Sequence, residues 1–124
     1  MDPELPSAHN QCVLVVDDEP ALLEGMEMAF AQAGLEVVSC RTFETAREKL
    51  LTGHFDVMVT DVRLGAFNGL QLAVIAHDKH PDMKIIVFSG FDDPVLRSEA
   101  ARLGAIYVVK PVSSEHLLRL MATR

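Results

Sequence analysis

No apolar run in this chain of 124 residues approaches the ~18 residues that a membrane-spanning helix needs. The polar start has no signal-peptide core either. Positive charge is scarce: 11 Lys and Arg stand against 18 Asp and Glu, a formal net charge of −7. Such a surface does not grip nucleic acid by neutralising phosphates, so any DNA contact has to come from another domain. Cysteine is limited to Cys12 and Cys40. Cys12 opens one apolar run and Cys40 closes the next, which on neighbouring parallel strands separates them by roughly 13 Å. That exceeds the ~7 Å Cα limit of a disulfide, and reduced thiols in a cytoplasmic protein are expected. The Gly-rich loops GxGxxG and GxxxxGK[ST] are missing, which weakens a nucleotide-binding reading. No repeat or low-complexity segment is found.

What is present suits one domain with one core. Apolar residues make up 49% and charged residues 23%, a globular balance. Residues 1–10 hold two prolines and no periodicity and are expected to form a flexible leader, with the domain over 11–124. Five short apolar runs follow: Cys12–Val16, 36–39, 57–60, 84–88 and Ile106–Val109. They are rich in β-branched residues and do not alternate, as parallel strands covered on both faces should read.

Helical patterns lie between them. Leu22, Met26, Ala29 and Ala33 form the first stripe, with Gly34 after it. Thr42 or Glu44 starts a second helix carrying Ala46, Leu50 and Leu51, ended by Gly53. Asn68-Gly69 precedes a third with Leu70, Ala73 and Ala76 inward and His80-Pro81 closing it. Asp92 or Asp93 caps a fourth at Pro94, with Leu96, Ala100 and Leu103 inward. Ser113 or Ser114 caps a fifth with Leu117, Leu118 and Met121. The methionines read as filler on helix stripes, and the histidines as surface or helix-end residues without a role. This alternation predicts an α/β fold, a doubly wound five-stranded parallel sheet in the flavodoxin-like order 2-1-3-4-5 with helices on both faces.

The polar residues are placed with unusual consistency. Asp17 and Asp18 follow the first strand, Asp61 the third, Ser89 ends the fourth and Lys110 the fifth. Ligands of open α/β sheets bind beyond the carboxyl ends of the strands, so three carboxylates, a hydroxyl and an ammonium reach one edge. The carboxylates would repel one another unless a cation joined them. A hard divalent ion, Mg²⁺ (or Mn²⁺), suits an oxygen donor set with several waters. Lys110 adds a compact positive charge and Ser89 a rotatable donor. The chemistry that fits is phosphoryl transfer to a carboxylate, in which a protein mainly positions and neutralises.

VVDDEP at 15–20, VTDVRLGAFNG at 59–69, FSG at 88–90 and YVVKP at 107–111, in this order and spacing, resemble the receiver domain of bacterial two-component response regulators. The resemblance implies Asp61 as phosphoryl acceptor, Asp18 as a direct metal ligand, Asp17 as an indirect one and the Arg63 backbone carbonyl as a further ligand. It implies that Ser89 and Lys110 contact the phosphoryl group and that Lys110–Pro111 is a cis peptide. It also implies a histidine kinase or phosphotransfer protein as donor, while the missing long apolar run leads to the expectation of no membrane partner. The output, an attached domain or a partner protein, would be read from the face of the fourth helix, fifth strand and fifth helix. Ser89 and Tyr107 would act as the switch, in a monomer or a phosphorylation-dependent dimer. Gly65 replaces the proline often found four residues after the acceptor, which predicts a more mobile loop. The short fifth helix suggests a domain cut from a longer protein.

Taken singly, these residues have plainer readings. Asp17-Asp18 could be an acidic pair at a helix start, Ser89 a turn residue, Lys110 a solvated lysine and Tyr107 a half-buried strand aromatic. Arg63 and Phe91, two residues beyond Asp61 and Ser89, are expected to rim the pocket and to slow phosphoryl loss by restricting water. An aspartyl-phosphate hydrolase is the rival from another class, but Val62-Arg63 after Asp61 supplies no second carboxylate. A degenerate site on a structural interaction domain is the other alternative, against which the full acidic and lysine set argues.

Overall fold

Runs of β-branched residues without polar alternation need cover on both faces, and the chain provides it. The computed structural model describes residues 11–122, so the leader expected over 1–10 lies outside the described residues. In chain order the main elements are β1 (Cys12–Val16), α1 (Pro20–Gln32), β2 (Glu36–Cys40), α2 (Phe43–Thr52), β3 (Val57–Asp61), α3 (Gly69–Lys79), β4 (Lys84–Ser89), α4 (Pro94–Arg102), β5 (Ile106–Val109) and α5 (Ser114–Ala122). All the main strand pairings are parallel, and the order is 2-1-3-4-5, as the alternation predicts. Between β3 and α3, Arg63–Leu64 and Phe67–Asn68 form a small antiparallel ribbon.

Successive residues of a strand point to opposite faces, which splits the core into two layers. Leu14, Val16, Met58, Ile85 and Val87 pack with residues of α2, α3 and α4. Val13, Val15, Val57, Val59, Ile86 and Phe88 pack with Leu23, Met26 and Phe30 of α1 and with Leu117 and Met121 of α5. Full burial of such side chains contributes about 1.5–3 kcal/mol each before entropy is counted.

The helix ends follow local chemistry. Thr42 Oγ1 accepts from the Thr45 amide, Asn68 and Gln71 close a capping box, and Asp93 Oδ1 accepts from the amides of Val95 and Leu96. Ser113 Oγ accepts from the His116 amide. Each satisfies donors that a helix start leaves unpaired. Gly34 and Gly104 follow α1 and α4 with positive φ, the left-handed step that ends a helix most easily at glycine.

Two stripes are corrected. In α1 the buried residues are Leu23, Met26 and Phe30, while Leu22 is 42% exposed and Ala33 is exposed at the helix end. In α2 Leu51 is 44% exposed beside the buried Leu50. Adjacent helical residues differ by about 100° around the axis, and which of two neighbouring leucines faces inward depends on the docking angle. Met28 is exposed too, so it fills no stripe. Both cysteines are free, with Cys40 buried, and their β1 and β2 positions are offset along the strands, Cys12 pairing with Glu36 and Cys40 with Val16.

Candidate functional site

Parallel strands in register end side by side, so residues that follow matched positions become neighbours. Val16 pairs with Thr60, which sets Asp17 beside Asp61. Asp61 pairs with Phe88 and Ser89 with Val109, bringing Ser89 and Lys110 to the same edge. The outcome matches the expected set: carboxylate oxygens of Asp17, Asp18 and Asp61 all lie within 4.8 Å of one another. Lys110 Nζ donates to Asp61 Oδ2 at 3.2 Å and lies 5.1 Å from the centroid of the Phe88 ring.

The corner is buried except on its outer side. Asp17, Thr60, Asp61 and Ser89 are buried and Asp18 is exposed. Asp17 Oδ1 accepts from the Glu19 amide at 2.9 Å, whereas Asp17 Oδ2 is buried without a hydrogen-bond partner. A buried carboxylate oxygen left unpaired is costly. Burial pushes the Asp17 carboxyl up to about 6; the Glu19 amide partly opposes this, the Asp61 and Asp18 charges add to it, and Lys110 counters them. An unpaired oxygen beside two further carboxylates is the arrangement that a hard divalent cation relieves. The donor set therefore fits such an ion.

The remaining expected residues take distinct places. The Arg63 amide donates to Asp61 Oδ1 at 3.3 Å, while the Arg63 side chain is exposed. Phe91 is 64% exposed. Its amide donates to Ser89 Oγ at 3.2 Å and its carbonyl accepts from the Tyr107 hydroxyl at 2.7 Å. The Lys110–Pro111 peptide is cis, as the resemblance implied. Gly65 has φ +63° at the turn of the ribbon, where a primed hairpin turn favours glycine. Beside this turn Leu64 is buried, and Phe67 stacks on Phe43 with centroids 4.5 Å apart.

Three supports escaped the sequence reading. Gly69 packs against the backbone of Asp61, and a Cβ there would overlap the Asp61 carbonyl oxygen and sit 3.1 Å from Thr60 Oγ1. Its only sequence signal was the Asn68-Gly69 dipeptide, which reads equally as a turn. The Phe88 ring beside Lys110 is marked in the sequence only as the last residue of an apolar run. A largely apolar groove of about 560 Å³ opens next to Lys110, lined among others by Ala21, Gly25, Gly90 and Pro111, and no local motif marks it.

Fold and corner together define a class: a five-stranded parallel α/β domain with carboxylates, a hydroxyl and an ammonium at its strand ends. The family model described as response regulator receiver domain matches residues 13–122, and the chain belongs to that family. It is similar to response regulator protein PilR of Pseudomonas aeruginosa, 32% identical over 114 residues that cover 91% of this chain and 26% of PilR. The chain thus spans about a quarter of that relative's length. A CheY-like receiver domain protein of Methanospirillum hungatei superposes with a TM-score of 0.85 at 28% identity, covering 90% of each chain. A Burkholderia pseudomallei response regulator, solved with a phosphorylated aspartic acid, calcium ion and citrate, also gives 0.85, at 25% identity, covering 91% of this chain and 67% of its own. Among the described residues no helix is long and apolar enough to cross a membrane.

Proposed function

We propose that this domain accepts a phosphoryl group on Asp61 from a histidine kinase or phosphotransfer protein and passes the change to an output partner. The observation that carries the reading is the Asp61 carboxylate held 3.2 Å from Lys110 Nζ within the three-carboxylate corner that leaves Asp17 Oδ2 unpaired. Asp18, Asp61 and the Arg63 carbonyl would hold Mg²⁺ or Mn²⁺, with Asp17 acting indirectly. When bound, the ion supplies positive charge to the transferring phosphoryl oxygens.

An Asp61 carboxylate oxygen forms the new P–O bond as the P–N bond of a phosphohistidine breaks, and the departing imidazole takes up a proton. Lys110 neutralises charge on the phosphoryl oxygens, and Ser89 donates its hydroxyl hydrogen to one of them. The groove beside Lys110 gives a donor protein an apolar surface close to the acceptor. Arg63 and Phe91 rim the mouth and restrict the attacking water, so replacing both with Ala speeds phosphoryl loss. An unchanged rate would remove that role. The domain is a signalling module that assists its own phosphorylation and dephosphorylation.

Once Ser89 donates to the phosphoryl group, the Phe91 amide held on its oxygen moves with it, and Tyr107, bonded to the same residue, follows. That biases the α4-β5-α5 face toward a second arrangement, a population shift rather than a new fold. Switching from 1:99 to 99:1 requires about 5.5 kcal/mol of preference for the second state. The test is a Mg²⁺-dependent mass gain of one phosphoryl group from a small phosphodonor, lost in Asp61→Asn. A wild type that gains no mass from any donor would leave a structural interaction domain as the better reading.

A further inference from the structure

We propose that Arg97 is a positioning residue for the acceptor corner, acting through Asp92, Tyr107 and the backbone of Phe91 on the Ser89 hydroxyl. The inference rests on the reading of Ser89 as a phosphoryl contact. Four contacts form an unbroken chain. Arg97 Nε and Nη2 both donate to Asp92 Oδ1, at 3.0 and 2.7 Å. The same guanidinium lies over the Tyr107 ring, 4.9 Å from its centroid. The Tyr107 hydroxyl donates to the Phe91 carbonyl at 2.7 Å, and the Phe91 amide donates to Ser89 Oγ at 3.2 Å.

The arrangement sets the direction of the Ser89 hydroxyl. A serine hydroxyl has one hydrogen to donate and two lone pairs. With the Phe91 amide on a lone pair, the hydrogen is left for a phosphoryl oxygen. Phe91 is held on both sides of its Cα, by Ser89 at its amide and by Tyr107 at its carbonyl, so fixing the tyrosine fixes the donor that orients Ser89.

Arginine suits the far end of this chain. A planar guanidinium can lay its face on an aromatic ring while its edge meets a carboxylate, whereas an ammonium offers only a point charge. Arg97 is 49% exposed and Asp92 is 66% exposed, and a surface ion pair of this kind adds little stability. Its role is therefore geometric, clasping α4, the loop after β4 and β5 at one point. Truncating it leaves the core untouched, since Arg97 belongs to neither apolar layer.

The chain has one tyrosine and no tryptophan, so its intrinsic emission reports on Tyr107 alone. In unphosphorylated protein, Arg97→Met increases the population of unclasped, acrylamide-accessible Tyr107 about two- to fivefold, the change an exposed cation–π contact supports, and Arg97→Lys falls between the two. With Mg²⁺ and phosphoramidate, the phosphorylation rate of Arg97→Met and of Tyr107→Phe drops by about the same factor. That drop disappears when Ser89→Ala is already present, as coupled residues require. Unchanged quenching in Arg97→Met overturns the proposal, as does a rate loss that persists in full without the Ser89 hydroxyl. A wild type that takes up no phosphoryl group fails the functional reading instead, and quenching alone then decides whether Arg97 holds Tyr107.

Discussion

The two ends of the sheet treat their polar groups in opposite ways. At the amino end, Asp56 Oδ2 accepts from the Cys12 amide at 2.8 Å, the Asp56 amide donates to the Cys12 carbonyl, and a His80 ring nitrogen meets the Leu50 carbonyl at 2.8 Å. Each of these polar groups joins one element to the next. At the carboxyl end three carboxylates lie together, Asp61 among them meets the Lys110 ammonium, and one buried oxygen has no partner. Unfilled polarity at one end and filled polarity at the other separate a surface built to receive a ligand from one built to close the fold. Changes at the carboxyl end should alter ion binding and phosphorylation and can raise stability. Changes at the amino end should lower stability alone.

The largest expected effect is at Asp17. Its folded carboxyl, pushed up to about 6 chiefly by burial, lies above an unfolded value of about 3.9. The folded state therefore binds the proton more tightly than the unfolded chain does. The contribution is fully present below pH ~4 and is lost as pH rises through about 6. Without a divalent ion, stability should fall by roughly 3 kcal/mol across that window. Asp17→Asn should remove most of the dependence and be more stable than wild type at pH 7.5, measured by urea unfolding in chelator. An Asn variant less stable than wild type at that pH would mean that Asp17 is already satisfied, and the contrast between the two ends would fail.

The same corner sets the next effect. Mg²⁺ at a hundred times its dissociation constant should stabilise the wild type by about 2.7 kcal/mol. Asp61→Asn and Asp17→Asn should lose most of that gain. A gain that survives both substitutions would place the ion elsewhere. At the opposite end, Asp56→Ala leaves the Cys12 amide without its side-chain acceptor and should cost about 1–2 kcal/mol. The midpoint of urea unfolding should shift at constant slope, while the rate of phosphorylation stays at the wild-type value.

The carboxyl end was the more legible of the two. Strand ends are fixed by where short β-branched runs stop, so the sequence alone assigns Asp17, Asp18, Asp61, Ser89 and Lys110 to one edge. Helix rotation was not fixed in this way: Leu22 and Leu23 both suit a stripe with Met26, and only docking on the sheet chooses Leu23. Gly69 could be placed only at the start of the third helix, because its close approach to Asp61 depends on where α3 starts relative to β3. The ribbon around Gly65 is a matter of side-chain anchoring by Leu64 and Phe67, which local propensity does not register. The amino-end ties join residues far apart in sequence, 44 positions for Cys12 and Asp56 and 30 for Leu50 and His80, with no motif at either partner.

His80 is the smallest and most discriminating case. It caps α3 with its amide on the Ala76 carbonyl and ties that helix end to the last turn of α2 through Leu50. A carbonyl accepts only from a protonated ring nitrogen, so Nε2 carries the hydrogen. His80→Ala should cost about 0.5–1.5 kcal/mol, the net worth of one hydrogen bond, and should raise amide exchange first in the last turn of α2. Mg²⁺ affinity and phosphorylation rate should remain those of the wild type. If His80→Ala instead slowed phosphorylation as much as Arg97→Met does, the amino end would be coupled to the acceptor through α3. The division of the sheet into a closing end and a receiving end would then be wrong.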